Sequence, residues 1–217
     1  MENETLYVSE IFESAQGETS KAGLMTSFVR LSGCPFRCVW CDSAYTYERG
    51  EPWTIDNICA ELTRMGWIHV CVTGGEPLAQ DPIFSFLKTL VAKGFQVSLE
   101  TSGGIPTKGV HEKVKIILDI KCPGSGVSDK NDWSNIDNLR TTDEIKFVVL
   151  DRADYEWTKQ TIKKYSLFSK VDNVLISTVW DRLSPDELIA WMVKDKLPAR
   201  LNLQIHKYIW DPEMRGI

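Results

Sequence analysis

Three cysteines fall within eight residues of the stretch Gly33-Cys34-Pro35-Phe36-Arg37-Cys38-Val39-Trp40-Cys41-Asp42. The Cys-x3-Cys-x2-Cys spacing puts three thiolates on one loop that contains Gly and Pro, directly after a strand-like apolar run. Thiolates are strong ligands for zinc and for iron–sulfur clusters. A loop of this length can wrap three sulfurs around one cuboidal cluster, leaving a fourth iron open to a small molecule. Structural zinc usually takes four ligands, often as two separated pairs. Cys59, Cys71 and Cys122 supply no second pair. The spacing therefore favours a 4Fe-4S cluster, with zinc or a chance grouping of thiols as the alternatives. Cys59, on the apolar face of a predicted helix, and Cys71, inside a predicted strand, read as core residues. Cys122, just past a strand end, is ambiguous.

A loop of this kind needs a scaffold, and the hydropathy pattern describes one. Segments 7–12 and 26–31 read as a first pair of strands. Thr54 caps a helix with Ile55, Ile58, Cys59, Leu62 and Met65 at three- and four-residue spacing. A compact strand at 68–73 follows, then a helix opened by Asp81-Pro82 and stopped at Gly94. Further strands are predicted at 95–100, 114–120, 144–150, 174–179 and 200–205, with a helix at 155–165. Ser184-Pro185-Asp186-Glu187 reads as a capping box at the start of another helix. The polar stretch 122–142 has room for a short helix at most. Strands alternating with helices pair in parallel through right-handed crossovers. A complete eight-unit barrel usually takes about 250 residues, and this chain has 217. The expectation is an α/β fold: one domain over residues 1–217, an incomplete TIM-like barrel of about six parallel strands with reduced helices, open on one side.

In a parallel barrel the C-terminal strand ends form one rim, where active sites lie. The cysteine loop, Thr73-Gly74-Gly75, Glu100-Thr101, Asp119-Ile120-Lys121 and Gln204-Ile205-His206 all fall at or just past predicted strand ends. Segments far apart in sequence are thus expected to converge. Arg30 interrupts the apolar strand Phe28-Val29-x-Leu31 just before the cysteine loop, which makes an ordinary solvated arginine a poor description of it. A guanidinium there suits a carboxylate as a two-pronged donor.

Composition bounds the function. Apolar residues make up 43% and charged residues 25%, which excludes a disordered or collagen-like chain. With 25 Lys+Arg against 30 Asp+Glu the net charge is −5, contrary to the basic balance of a nucleic-acid-coating protein. No run approaches the roughly 20 apolar residues of a membrane span, and no signal-type stretch follows the acidic start. The chain reads as cytoplasmic, with reduced or metal-bound cysteines.

The triplet, with an aromatic residue before its last cysteine, resembles the signature of the radical S-adenosylmethionine (SAM) superfamily, and Val72-Thr73-Gly74-Gly75-Glu76-Pro77 resembles that superfamily's second motif. Further segments resemble the 7-carboxy-7-deazaguanine synthase family. They are Glu10 through Glu18, Phe28-Val29-Arg30, Trp40-Cys41-Asp42-Ser43, Leu99-Glu100-Thr101, Asp119 through Ser125, Gln204 through Lys207, and the ending Arg215-Gly216-Ile217. The resemblance implies a lyase of queuosine-type 7-deazapurine synthesis that converts 6-carboxytetrahydropterin to 7-carboxy-7-deazaguanine with loss of ammonia. It implies a 4Fe-4S cluster, SAM cleaved to a deoxyadenosyl radical that takes hydrogen from C6 of the pterin, and assistance by Mg2+. Cys34, Cys38 and Cys41 match its cluster ligands. Trp40, Cys41, Asp42, Gly75, Glu76, Asp119, Ile120 and Lys121 match SAM contacts, although the family often has Ser-Pro-Lys where this chain has Asp119-Ile120-Lys121. Ser43 matches the magnesium position, where one hydroxyl is tolerable because Mg2+ keeps waters and uses substrate oxygens. Ala15, Gln16, Gly17, Arg30, Thr73, Gln204, His206 and the terminal carboxylate of Ile217 match substrate contacts.

The resemblance also implies an electron-donor protein and a homodimer. Two other readings stay open. A radical SAM activase that takes hydrogen from a partner protein's glycine shares the cysteine spacing and the Gly-Gly-Glu-Pro turn. It lacks the pterin set at Gln16, Arg30 and His206. A non-catalytic metal-binding module would hold zinc and ignore SAM.

Overall fold

The computed structural model describes residues 4–212 and 214–216. Its centre is a nine-stranded sheet among the described residues, built from β1 (Thr5–Ala15), β2 (Met25–Leu31), β3 (Glu51–Thr54), β4 (His69–Gly74), β5 (Gln96–Thr101), β6 (Lys115–Asp119), β7 (Glu144–Val149), β8 (Asn173–Thr178) and β9 (Arg200–Leu201). The order is β3-β1-β2-β4-β5-β6-β7-β8-β9. From β2 through β9 every neighbouring pair is parallel. β1 pairs antiparallel with both β2 and β3. The helices are α1 (Ile55–Met65), α2 (Ile83–Ala92), α3 (Asn135–Asn138), α4 (Arg152–Lys164), α5 (Pro185–Lys194) and α6 (His206–Ile209).

Local chemistry sets these boundaries. Thr54 Oγ1 accepts from the Asn57 N–H at 3.2 Å, and Gly66, at φ +81°, closes α1 by donating to Leu62 O. The buried face of α1 is Ile55, Ile58, Cys59 and Leu62, as its spacing predicts. It packs with α2 against β1, β2, β4 and β5 in one apolar core; a second core lies between β6–β8 and α4 and α5. Cys59, Cys71 and Cys122 are all buried, so Cys122 joins the core.

The open, mostly parallel partial barrel of the sequence reading stands, with more strands than expected. β3 carries a Pro and alternates weakly, so its pairing with β1 had no local signature. Two expectations are corrected. The final strand, expected over 200–205, stops after Leu201, and the chain turns through Ile205 into α6. Only the pairing partner β8 specified that strand, and its ladder runs out at Leu201. At α5, Ser184 occupies the N-cap but its hydroxyl caps no backbone N–H.

The sheet does not close on itself, but the β1–β2 loop reaches across to the segment that follows β9. The loop 16–24 between β1 and β2 folds inward and crosses the barrel. Thr19 N–H donates to Asn202 Oδ1 (2.7 Å) and Ile205 N–H to Gly17 O (2.9 Å), both just past β9. Lower down, Lys115 Nζ, at the start of β6, reaches Ser20 Oγ at 2.9 Å. The loop therefore forms a floor beneath whatever the rim holds.

Candidate active site

The cysteine loop leaves β2 through two tight backbone contacts. Ser32 N–H donates to Tyr7 O (2.9 Å) and Gly33 N–H to Thr46 O (2.6 Å), with Gly33 at φ +83°. Arg37 Nη1 then draws the loop together by donating to both Cys34 O and Phe36 O at 2.6 Å. Cys34, Cys38 and Cys41 are each partly exposed, unbridged and turned to one cavity. Burial pushes the Cys34 thiol up to about 11, and burial also raises Cys38, against the nearby Lys121 charge. Ligation would have to overcome that preference for the neutral thiol.

The donor set itself fits a 4Fe-4S cluster: three unbridged thiols line one cavity, and three thiolates would leave one iron open there.

The turn after β4 locks onto this loop. Gly75 N–H donates to Leu31 O and Glu76 N–H to Gly33 O, both at 2.9 Å. A Cβ on Gly75 would collide with the Gly33 carbonyl and lie 2.9 Å from Cys34 Cβ. Glycine is needed there for close backbone approach. Glu76 is wholly buried. Its carboxylate accepts from Leu78 N–H (3.0 Å), Thr101 Oγ1 (2.8 Å), Ser102 N–H (2.8 Å) and the Ser102 hydroxyl. It fastens the exits of β4 and β5 and does not itself line the cavity, whereas Gly75 does.

The cavity, of about 640 Å³, lies at the C-terminal ends of the parallel strands. It gathers most of the residues singled out in the sequence. On the cluster side these are the three cysteines, Trp40, Asp42, Ser43, Gly75, Asp119 and Lys121. Lys121 Nζ pairs with Asp119 Oδ2 at 2.9 Å. Ser43 Oγ donates to Asp42 Oδ1 at 3.0 Å, so its hydroxyl is oriented by a carboxylate. Lys207 lies 3.5 Å from Asp42 and, against the opposing effect of burial, helps hold that carboxyl down at about 2. Ile120 is not brought in: its side chain is buried in the second core.

The opposite wall holds Ala15, Gln16, Gly17, Arg30, Thr73, Gln204 and His206. Arg30 Nε donates to Glu10 at 2.6 Å, and its guanidinium sits 5.3 Å over the Phe12 ring. Phe12 in turn stacks on Phe28 at 4.9 Å. The hydrogen bond and the rings fix the guanidinium plane, and among the described residues its Nη groups carry no hydrogen bond. Gly17 is pressed against His206, whose Nδ1 would meet any Cβ there. Burial lowers the His206 pKa, favouring the neutral ring. Gln204 Nε2 donates to Glu18 Oε1 at 2.8 Å. Ile217 lies outside the described residues.

One charged residue in the cavity, Lys146, escaped the sequence reading, and two others, Glu18 and Glu100, were named there only within segments and given no role. Lys146, from β7, makes an ion pair with Glu18 and lies 4.0 Å from Asp119. Burial alone would raise Glu18, but the Lys146 ammonium overrides it and holds the carboxyl below its usual range. Lys146 moves the other way: burial would lower it, and Glu18 and Asp119 raise it. Glu100, which accepts from Thr73 Oγ1 at 3.1 Å, is raised by burial and by the Glu18 charge. A signal existed for Lys146. It interrupts the apolar strand Ile145-Lys146-Phe147-Val148 just as Arg30 interrupts its own.

Comparison with known proteins agrees with this arrangement. Residues 28–192 match the Radical SAM superfamily. A 7-carboxy-7-deazaguanine synthase from Koribacter versatilis is 40% identical, over 98% of this chain and 100% of its own length. One from Chlorobaculum tepidum is 42% identical over 98% and 97% respectively. In fold, the crystal structure of QueE from Escherichia coli aligns with a TM-score of 0.75 at 22% identity, covering 91% of this chain and 93% of that one.

Proposed function

From the premise that this chain belongs to the radical SAM superfamily and, within it, to the 7-carboxy-7-deazaguanine synthase family, we propose that it converts 6-carboxytetrahydropterin to 7-carboxy-7-deazaguanine with loss of ammonia. The observation that carries this reading is the juxtaposition, across one cavity, of three unbridged cysteines and a fixed, forward-facing Arg30.

Cys34, Cys38 and Cys41 would hold a 4Fe-4S cluster, and Trp40, Asp42, Gly75, Asp119 and Lys121 would hold SAM beside it. Bound there, the two supply a hydrogen-abstracting carbon radical by one-electron cleavage of SAM. The chain's own residues do the rest by position. Arg30 offers its Nη edge to the substrate carboxylate, its Nε being held by Glu10. Gln16, Gly17, Thr73, Glu100 and His206 surround the space where the pterin's hydrogen-bonding edge would lie. The floor loop and the 202–206 segment wall that space, which would limit side reactions of a reactive intermediate. Ser43, oriented by Asp42, is the proposed Mg2+ contact, with waters and substrate oxygens completing the shell. A single domain, a homodimer, a cytoplasmic site of action and an external electron-donor protein complete the proposal. Among the described residues no helix is long and apolar enough to cross a membrane.

The test is anaerobic turnover of reconstituted protein with SAM, reductant, Mg2+ and 6-carboxytetrahydropterin, followed by mass spectrometry. A 7-carboxy-7-deazaguanine product that disappears in Cys38→Ala is expected. Deoxyadenosine without that product would refute the substrate and point to an activase. Absence of both, from protein with an intact cluster, would refute the radical reading itself.

A further inference from the structure

We propose that the underside of the barrel floor carries a second site, which binds a small organic phosphate. The site is independent of the rim reaction. A cavity of about 360 Å³ opens there, at the N-terminal ends of the strands and on the far side of the 16–24 loop from the cysteines. Lys21, Lys113 and Lys115 line it together with Val91, Phe95 and Val97, and among the described residues no acidic side chain does. The chain as a whole carries −5, so this acid-free basic pocket runs against its composition.

The carboxylate that acts on both Lys21 and Lys115 is already used. Glu144 is fully buried, pairs with Lys115 Nζ at 2.6 Å and accepts from Ser20 N–H at 3.2 Å. Among the described residues neither Lys21 nor Lys113 has an ion pair. Lys21 Nζ instead faces His69 Nδ1 at 3.4 Å, where burial and the Lys115 charge both disfavour its protonation. An anion would relieve that crowding. Lysine ammoniums are mobile point charges suited to a phosphate more than to a planar carboxylate fork. The volume is within the roughly 300–1,000 Å³ of small-molecule sites. The partly buried Val91 and Phe95 would be wasted on inorganic phosphate but would contact an organic body.

Calorimetric titration of the full chain at low salt, where exposed charges are least screened, decides the matter. The probes are phenyl phosphate and inorganic phosphate. Phenyl phosphate is expected to bind about tenfold more tightly than inorganic phosphate, a difference of about 1.4 kcal/mol. The Lys21→Gln/Lys113→Gln variant, with unchanged circular dichroism, should weaken it by about tenfold or more. Lys113→Glu alone, at an exposed position, serves should the double variant misfold, and should also weaken binding. No binding of phenyl phosphate overturns the proposal, as does binding unaffected by either variant. Equal affinity for both probes overturns the organic-phosphate assignment, leaving an adventitious anion site only.

Discussion

The two walls of the rim cavity are built by different means. The cluster wall is made of backbone: the turn after β4 and the exit of β2 are hydrogen-bonded to each other through Gly75, Glu76, Leu31 and Gly33, and Glu76 bolts on the exit of β5. The far wall is made of side chains, from the floor loop, from the segment after a two-residue strand and from the strand residues Arg30, Thr73 and Lys146, meeting through Gly17–His206, Glu18–Gln204 and Glu18–Lys146 contacts. Backbone ladders resist displacement, whereas side-chain networks can repack at modest cost. The cluster wall should therefore respond to mutation through stability and metal content, and the far wall through substrate affinity.

The largest expected break is Glu76→Ala. It strands Leu78 N–H, Ser102 N–H and the Thr101 and Ser102 hydroxyls, and should cost about 3 kcal/mol or more in urea unfolding. Gly75→Ala follows, at about 1–3 kcal/mol, because its Cβ strikes the Gly33 carbonyl, which cannot yield; iron bound per chain should fall with it.

Glu100→Gln sharpens the comparison by pH. Its folded pKa lies above its unfolded value, because burial and Glu18 penalise the charged form. Its contribution to stability is complete below the unfolded pKa and lost as pH rises through the folded one. The variant should thus melt higher than the parent at pH 7.5, by on the order of 2 °C, with the gap shrinking toward pH 4.5. A gap that grows on acidification would contradict the assignment. The smallest effect on stability belongs to Gly17→Ala. Its Cβ overlaps the His206 ring at Nδ1 and lies 2.9 Å from Cγ, but that side chain can turn away where a backbone carbonyl cannot, so stability should change by about 1 kcal/mol while KM rises.

The same division explains what the sequence made legible. The cluster wall was readable because its chemistry is written in contiguous motifs, Cys34 through Cys41 and Thr73 through Glu76, each fixed by spacing at a strand exit. Arg30 was readable because a charge inside an apolar strand has no bland explanation. The Glu18–Lys146–Asp119 chain joins three elements distant in sequence: Lys146 carried the same signal as Arg30, a charge inside an apolar strand, but nothing local named its partners. The inward path of loop 16–24 was likewise invisible, since it depends on Asn202 and Glu144, far along the chain. For Glu76 the motif marked the residue, and only the folded chain shows its carboxylate accepting from Leu78, Thr101 and Ser102. The end of β9 failed for a related reason: a two-residue strand is set by its neighbour and by no period of its own.

The most direct measurement of the account is the dissociation constant of 6-carboxytetrahydropterin for anaerobically reconstituted Arg30→Lys, taken together with its iron content and its rate of SAM cleavage. The forked donor is lost while the charge stays, so substrate affinity should fall by about tenfold or more, with iron and SAM cleavage at parental levels. Parental affinity, or a loss of iron and SAM cleavage in step with the loss of binding, would contradict the separation of the two walls.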